Sequence, residues 1–428
     1  MNPFKEKVCE TKCYLQSFKD MYPKAYDKNS TDPYTKARII LATGAEYEAN
    51  WFSHQMHRHI ANTDLRREIA LARFVEKQQQ QMLSCLKPTD ESVLETTIAY
   101  EQLAVDLTAE MAQKEENFYV KKALDFALLE DFDHLYRYAN LLEMDAGIHA
   151  EKLVGKYTEI TPARPTVAHH RHPWDNVKHD TDGKKSNVQT ILNTMIITAA
   201  EQQTMNYYMN QSAFYTTDLG RKLYQEICLV EEEHVTQYGS LIDTSHDWLE
   251  CMLWHEYAEC YVYWSNMQTE CDDKLKALWQ RCLEAEIAHL HAAARLLNKY
   301  AGKEWCQVIE GGEFPAPLSL HQNVDYVRNI IAETVNYTGM LEDYADVCKM
   351  KEDDRFFVYN KAITEPVKSM ASHKVIERRI EEKGTDYRYE TDENPIPVLC
   401  DRKSDNVDVG ISSDAYCEGK GFCPLKGC

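Results

Sequence analysis

The sequence predicts an all-α protein built from tandem four-helix bundles with an extended C-terminal tail, and three observations predict it. First, only 15 Gly and 13 Pro occur in 428 residues, about half the usual share, so long elements with few turns are expected and a turn-rich β-sandwich is not. Second, apolar positions recur with a helical period near 36–60, 64–86, 90–115, 117–145, 188–213, 219–242, 247–270 and 273–300, then near 323–345 and 355–382. Third, the breaks are short and carry capping chemistry. Ala61-Asn62-Thr63-Asp64, Lys87-Pro88-Thr89-Asp90 and Asp243-Thr244-Ser245-His246-Asp247 each offer side chains able to accept from the first free N–H groups of the next helix. Short links make neighbouring helices antiparallel.

The expected organisation is a first bundle half over 1–145, a crossover over 146–187, a second repeat over 188–300, an additional helical hairpin over 301–382 and a Cys-containing tail over 383–428. The crossover holds Pro162, Pro165, Pro173 and a His cluster; the 301–322 connection holds Gly311, Gly312, Pro315 and Pro317. With 69 Asp+Glu against 48 Lys+Arg the net charge is -21, which argues against nucleic acid or an anionic membrane as partner. The N-terminus shows no apolar stretch behind its basic residues, and no run approaches the roughly 18 apolar residues of a membrane span, so a soluble, cytoplasmic protein is expected. In that reducing compartment the cysteines within helical patterns, Cys85, Cys228, Cys251, Cys260 and Cys282, read as buried thiols and not as a disulfide framework.

Laying the acidic positions side by side exposes an internal repeat. Glu46, Glu76, Glu101, Asp131 and His134, shifted by 155 residues, fall on Glu201, Glu231, Glu256, Glu286 and His289, and Thr43-Gly44-Ala45-Glu46 matches Thr198-Ala199-Ala200-Glu201. The repeated unit is a helical hairpin: a Glu on one helix and, on the next, a carboxylate three residues ahead of a His. It occurs as Glu101 with Asp131 and His134, as Glu201 with Glu231 and His234, and as Glu256 with Glu286 and His289. Residues i and i+3 share a helix face, so such a carboxylate and imidazole can reach one metal ion together. The hairpin Glu46 with Glu76 and Gln79 is the same unit with a poor ligand in place of His; Gln78 to Gln81 reads there as a polar face. A degraded fifth hairpin sets Glu333 opposite Glu365 with Lys368 at the His position.

Two hairpins together supply four carboxylates and two His, the ligand set of di-iron and di-manganese bundle proteins. The sequence here resembles the ferritin-like superfamily, and rubrerythrin-type members in particular. Gly44-Ala45-Glu46-Tyr47-Glu48-Ala49-Asn50-Trp51 and Leu229-Val230-Glu231-Glu232-Glu233-His234 look like its metal helices, and the likeness covers about 36–300. The resemblance implies tandem ferritin-like bundles, a dinuclear iron centre, with manganese or a mixed iron and manganese pair as alternatives, and an oxidoreductase that meets O2 or peroxide and a small-molecule substrate. The alternative is a non-enzymatic acidic scaffold or iron-binding protein; a homodimer fits either reading. Two pairings stay open. Glu201, Glu231 and His234 join Glu101, Asp131 and His134 across the long crossover, or they join Glu256, Glu286 and His289 through short links. Ferritin-like connectivity favours the first, while the shorter Asp131 arm favours the second.

The remaining features read as structural. His169, His170, His172 and His179 fall in a polar crossover beside Trp174, with metal binding as the alternative; His54, His57 and His59 suit the negative end of a helix dipole. Tyr207, Tyr208, Tyr257, Tyr261 and Tyr263 lie near the candidate ligands as core aromatics or as redox or substrate contacts. Cys417, Cys423 and Cys428 do not match the paired Cys-x-x-Cys of a rubredoxin-type site, so that electron-transfer module is not expected.

Overall fold

Eight long helices carry the architecture, and most of them begin at a side-chain cap. In the computed structural model, which describes residues 1–155 and 157–387, these are α1 (Pro33–His59), α2 (Thr63–Ser84), α3 (Val93–Lys114) and α4 (Phe118–Ala146), then, beyond the single turn α5 (Glu151–Val154), α6 (Val188–Phe214), α7 (Asp218–Gly239), α8 (Trp248–Thr269) and α9 (Asp273–Ala301). Asp32, Asn62, Asn117, Thr217 and Asp272 accept from the first turns of α1, α2, α4, α7 and α9. Ser92 with Glu95 and Asp247 with Glu250 form reciprocal capping boxes on α3 and α8. The repeat is visible in length: α1 to α4 measure 27, 22, 22 and 29 residues, and α6 to α9 measure the same in the same order. Both 29-residue helices stop at a glycine in the left-handed region, Gly147 at φ 66° and Gly302 at φ 68°.

The chain divides into two compact units, and they are not consecutive segments. The first comprises residues 1–91, 181–203 and 242–319. In it α1 packs on α2, α8 on α9, α1 on α8 and α2 on α9, which closes a four-helix ring. The opening part of α6 belongs here too. Gly44 on α1 meets it so closely that an added Cβ would stand 3.4 Å from the Ala199 carbonyl oxygen, and Gln203 Nε2 donates to the Ile40 carbonyl at 3.1 Å.

The second unit comprises 92–180, 204–241 and the described residues from 320 onward. Here α3 packs on α4 and α4 on α7, around a core that includes Val105, Leu128, Leu135, Tyr138, Tyr208, Tyr224 and Ile227. Three short helices, α10 (Val324–Thr334), α11 (Arg355–Thr364) and α12 (Ala371–Lys383), complete the unit; α10 and α12 lie against α4, and α12 also against α7. In terms of the repeat, each unit joins the first hairpin of one copy to the second hairpin of the other. The consecutive halves 1–145 and 188–300 are therefore not the packing units.

Three further expectations are corrected. The helix expected over 323–345 ends at Thr334 and gives way to an antiparallel hairpin, β1 (Tyr337–Met340) with β2 (Asp343–Asp346), in register Tyr337 with Asp346 and Met340 with Asp343. Val335, Tyr337 and Thr338 favour strand, and at Gly339 a Cβ would come within 2.6 Å of the Asp175 carbonyl oxygen, so only glycine fits. The helix expected over 355–382 is divided into α11 and α12 at Pro366, which has no N–H to continue the ladder. Glu365 is then the exposed C-terminal boundary of α11 rather than a helix start, and Glu333 is also exposed, so the fifth hairpin holds no cluster. The third is the 146–187 crossover. It is not a solvated loop: Arg164, Thr166, Val167, His169 and Arg171 are at most 1 % exposed.

Among the described residues no helix is long and apolar enough to cross a membrane. The ten described cysteines are all free thiols; Cys228, Cys260 and Cys282 are buried, while Cys85 and Cys251 are half-buried. Cys400, Cys417, Cys423 and Cys428 lie outside the described residues.

Candidate metal centres

In the second unit α3 contributes Glu101, α4 contributes Asp131 and His134, and α7 contributes Glu231 and His234, every one of them buried to at least 99 %. Spacing of three residues turns each carboxylate and His to the same helix face, and packing of α3 and α7 on α4 brings those faces together. Ligand-capable atoms of Glu101, His134 and Glu231 lie within 4.8 Å of one another. Glu231 sits between two imidazoles: its Oε1 is 3.0 Å from His134 Nδ1 and its Oε2 is 3.0 Å from His234 Nδ1. His234 Nδ1 is also 3.3 Å from Asp131 Oδ1.

The outer contacts of His234 fix what its inner face must hold. Its Nε2 is 2.8 Å from Glu130 Oε2, and Glu130 in turn accepts from Arg171 at 2.7 Å and from Arg164 at 3.4 Å. Burial pushes the Glu130 carboxyl up, but the Arg171 guanidinium and the His234 hydrogen bond outweigh it and hold the acid well below its ordinary range. An ionised Glu130 accepts a hydrogen bond from Nε2–H, so the Nδ1 lone pair faces two carboxylates. A cation belongs between them, either a second proton on the ring or a metal ion. Glu231 responds in the same sense. Burial raises it, yet His134 and the hydrogen bonds from His134 and His234 bring it down to about 2. The donor set, oxygen-rich with imidazole and no thiolate, fits iron or manganese better than thiophilic metals.

Tyr208, on the closing part of α6, donates its hydroxyl to Glu101 in a short hydrogen bond, and Thr108 reaches Asp131 Oδ2 at 3.4 Å. Glu201 is buried at 1 % on the same helix, in the part counted with the first unit. Tyr208 lies two helical turns beyond it, so the two residues share one face of α6.

The first unit assembles a different cluster from Glu46 on α1, Glu76 and Gln79 on α2, Glu256 and Glu259 on α8, and Glu286 and His289 on α9, none more than 4 % exposed. Two triads share Glu256: Glu76, Glu256 and His289, and Glu256, Glu259 and Glu286, each with ligand atoms within 4.8 Å of one another. His289 Nδ1 faces Glu286 Oε2 at 3.0 Å, Glu256 Oε2 at 3.8 Å and Glu76 Oε1 at 3.9 Å. Where the repeat would place a second His, the Gln79 amide donates to Glu46 at 2.7 Å and to Glu286 in a short bond; Tyr263 adds a hydroxyl to the same Glu46 oxygen at 2.5 Å. Burial and mutual repulsion raise Glu46, Glu256 and Glu259 well above the ordinary carboxylate range, and burial lifts Glu76 to about 7. Burial works against the charged form of His289, but Glu286 and Glu76 outweigh it and raise that imidazole.

The structure thus brings Glu101, Asp131, His134, Glu231 and His234 together, and separately brings Glu256, Glu286 and His289 together with the Glu46 and Glu76 hairpin. The grouping of Glu231 and His234 with Glu256, Glu286 and His289 does not form. The hairpin read as a polar face is core instead: Glu76, Gln78, Gln79 and Gln80 are all buried.

Sequence reasoning missed Glu130, Arg164, His169, Arg171 and Glu259. Glu259 was legible, since it stands three residues after Glu256 on the same face. Glu130 precedes Asp131 inside an acidic run that only tertiary contacts resolve into separate roles. His169 was read as a loop residue, yet it is fully buried with its ring centroid 5.9 Å from that of His134; burial lowers its basicity well below the ordinary imidazole range. No protein-family model, curated protein or solved structure matches the chain.

Proposed function

We propose that the chain is an oxidoreductase of the ferritin-like type whose second unit holds a dinuclear iron or manganese centre. Glu101, Asp131, His134, Glu231 and His234 are the ligands it draws from the second unit. One observation carries the reading: both His rings turn Nδ1 toward the single carboxylate of Glu231, each at 3.0 Å, and among the described residues no lysine or arginine is paired with that carboxylate. Metal ions held by these residues would satisfy that arrangement without a buried pair of imidazolium ions.

When bound, such a centre supplies electrons and a coordination position for O2 or peroxide. The protein's own groups have distinct tasks. Glu130, anchored by Arg171, holds the His234 ring and keeps its proton on Nε2, so that Nδ1 presents a lone pair. Tyr208 directs one oxygen of Glu101 by hydrogen bonding. Tyr138, Phe132 and Leu135, each no more than 2 % exposed, keep bulk water from this part of the core.

The test is elemental analysis of full-length protein reconstituted anaerobically with Fe(II), with and without Glu231→Ala and His234→Ala. The wild type should retain iron that both variants lose, and peroxide should oxidise that iron, with turnover when an electron donor such as dithionite-reduced dye is supplied to return it to Fe(II). Equal iron in wild type and variants would overturn the assignment. Retention without turnover would leave the metal site and remove the oxidoreductase.

A further inference from the structure

We infer that the first unit carries a second, separate cation site of oxygen ligands alone, formed by Glu256, Glu259 and Glu286, which takes a hard divalent cation such as Mn2+. It stands on residues of α8 and α9 that take no part in the proposed function, so either assignment can fail without the other.

The cluster has two sides with different chemistry. On one side the Gln79 amide commits both of its hydrogens, one to Glu46 and one to Glu286, and Tyr263 gives a third donor to Glu46. Those donors reach Glu46 Oε1 and Glu286 without a metal ion, although Glu46 Oε2 accepts from no described residue, and a neutral amide stands where the repeat elsewhere supplies an imidazole. On the other side compensation is partial: His289 Nδ1 stands 3.0 Å from Glu286 Oε2 and 3.8 Å from Glu256 Oε2. Glu259 is 3 % exposed, and neither of its carboxylate oxygens accepts a hydrogen bond from any described residue; Glu256 Oε2 accepts none either. A buried, unpaired carboxylate carries a large desolvation cost, and three within 4.8 Å of one another compound it. A divalent cation removes both costs together. Three carboxylates with no nitrogen or sulfur select hard ions over thiophilic ones.

Glu259 also faces a narrow cavity between α1, α6 and α8, whose polar lining is Glu48, His255 and Glu259. Glu48 is partly exposed at that cavity, and its Oε2 accepts no hydrogen bond from any described residue. Glu48 and Glu259 therefore line one cavity of about 20 Å³, room for about one water beside the site.

The experiment uses the full-length His234→Ala chain, in which the second unit's centre is disabled, stripped with chelator and titrated anaerobically with Mn2+ by electron paramagnetic resonance. That chain should still bind Mn2+. Adding Glu259→Gln should lower the bound Mn2+ by about one ion per chain, while adding Glu46→Gln, on the side closed by Gln79, should leave it in place. Circular dichroism and the unfolding midpoint verify that each variant is folded; should Glu259→Gln unfold, Glu259→Asp, which keeps the charge on a shorter arm, should weaken Mn2+ binding at least tenfold. No Mn2+ bound to the His234→Ala chain, unchanged binding in folded Glu259→Gln, or equal losses from Glu259→Gln and Glu46→Gln would each overturn the site.

Discussion

Glu130 holds His234 from behind: its Oε2 lies 2.8 Å from His234 Nε2, on the side of the ring away from Glu231. A carboxylate in that position fixes the tautomer and raises the basicity of the inward nitrogen. Glu130→Gln should lower the second unit's affinity for Fe(II) about 10- to 100-fold while leaving helix content unchanged. Competition against a chelator of known affinity reads the effect; an unaltered affinity would mean that Glu130 serves packing alone.

Arg171 compensates two buried acids, Glu130 at 2.7 Å and Glu233 at 3.1 Å, and is itself 1 % exposed. Arg171→Met keeps much of the volume but takes the nearest cation from both carboxylates, leaving Glu130 with Arg164 at 3.4 Å and His234 at 2.8 Å. The expected loss is about 3 kcal/mol of stability in denaturant titrations, since the buried negative charge is then under-compensated. A loss below about 1 kcal/mol would show that the acids take up protons at little cost.

His134→Ala and His289→Ala should act on different centres. The first should remove metal from the second unit and abolish peroxide turnover. The second should remove the imidazole from the first unit and leave that turnover in place. Metal content and turnover measured on both variants decide this, and equal loss of turnover in the two would mean that the centres are functionally coupled.

Glu48 gives a pH dependence that can be isolated in metal-free protein. Burial raises its carboxyl from 4.5 to about 8, so the folded state holds a proton that the unfolded state releases. The stability this proton supports is fully present below pH 4.5 and is lost as pH rises toward about 8. The full shift would correspond to several kcal/mol, and partial access to solvent reduces it to about 1–3 kcal/mol. Glu48→Gln should flatten the fall in unfolding midpoint between pH 5 and pH 8 and exceed the wild type at the upper end. A variant with the wild-type slope would place the proton elsewhere.

Much of this was determined by the sequence alone, because it depends on local rules. Helical period, capping side chains and carboxylate-to-His spacing are properties of a single helix, so the eight long helices and the faces bearing Glu101, Asp131, His134, Glu231 and His234 could be read directly. Pairing of hairpins could not. A short link fixes only which neighbours run antiparallel, and the internal repeat offers each hairpin two chemically equivalent partners. The choice falls to packing between distant segments, such as Gly44 against Ala199, and it exchanges hairpins between the two copies of the repeat. Burial of the crossover was hidden for the same reason: Arg164, His169 and Arg171 look like loop residues until Glu130 is placed beside them. Gln79 is the plainest case. Its sequence context names a missing ligand, and only the tertiary structure, by setting Glu46 and Glu286 within reach of one amide group, turns that absence into a neutral closure of half the cluster.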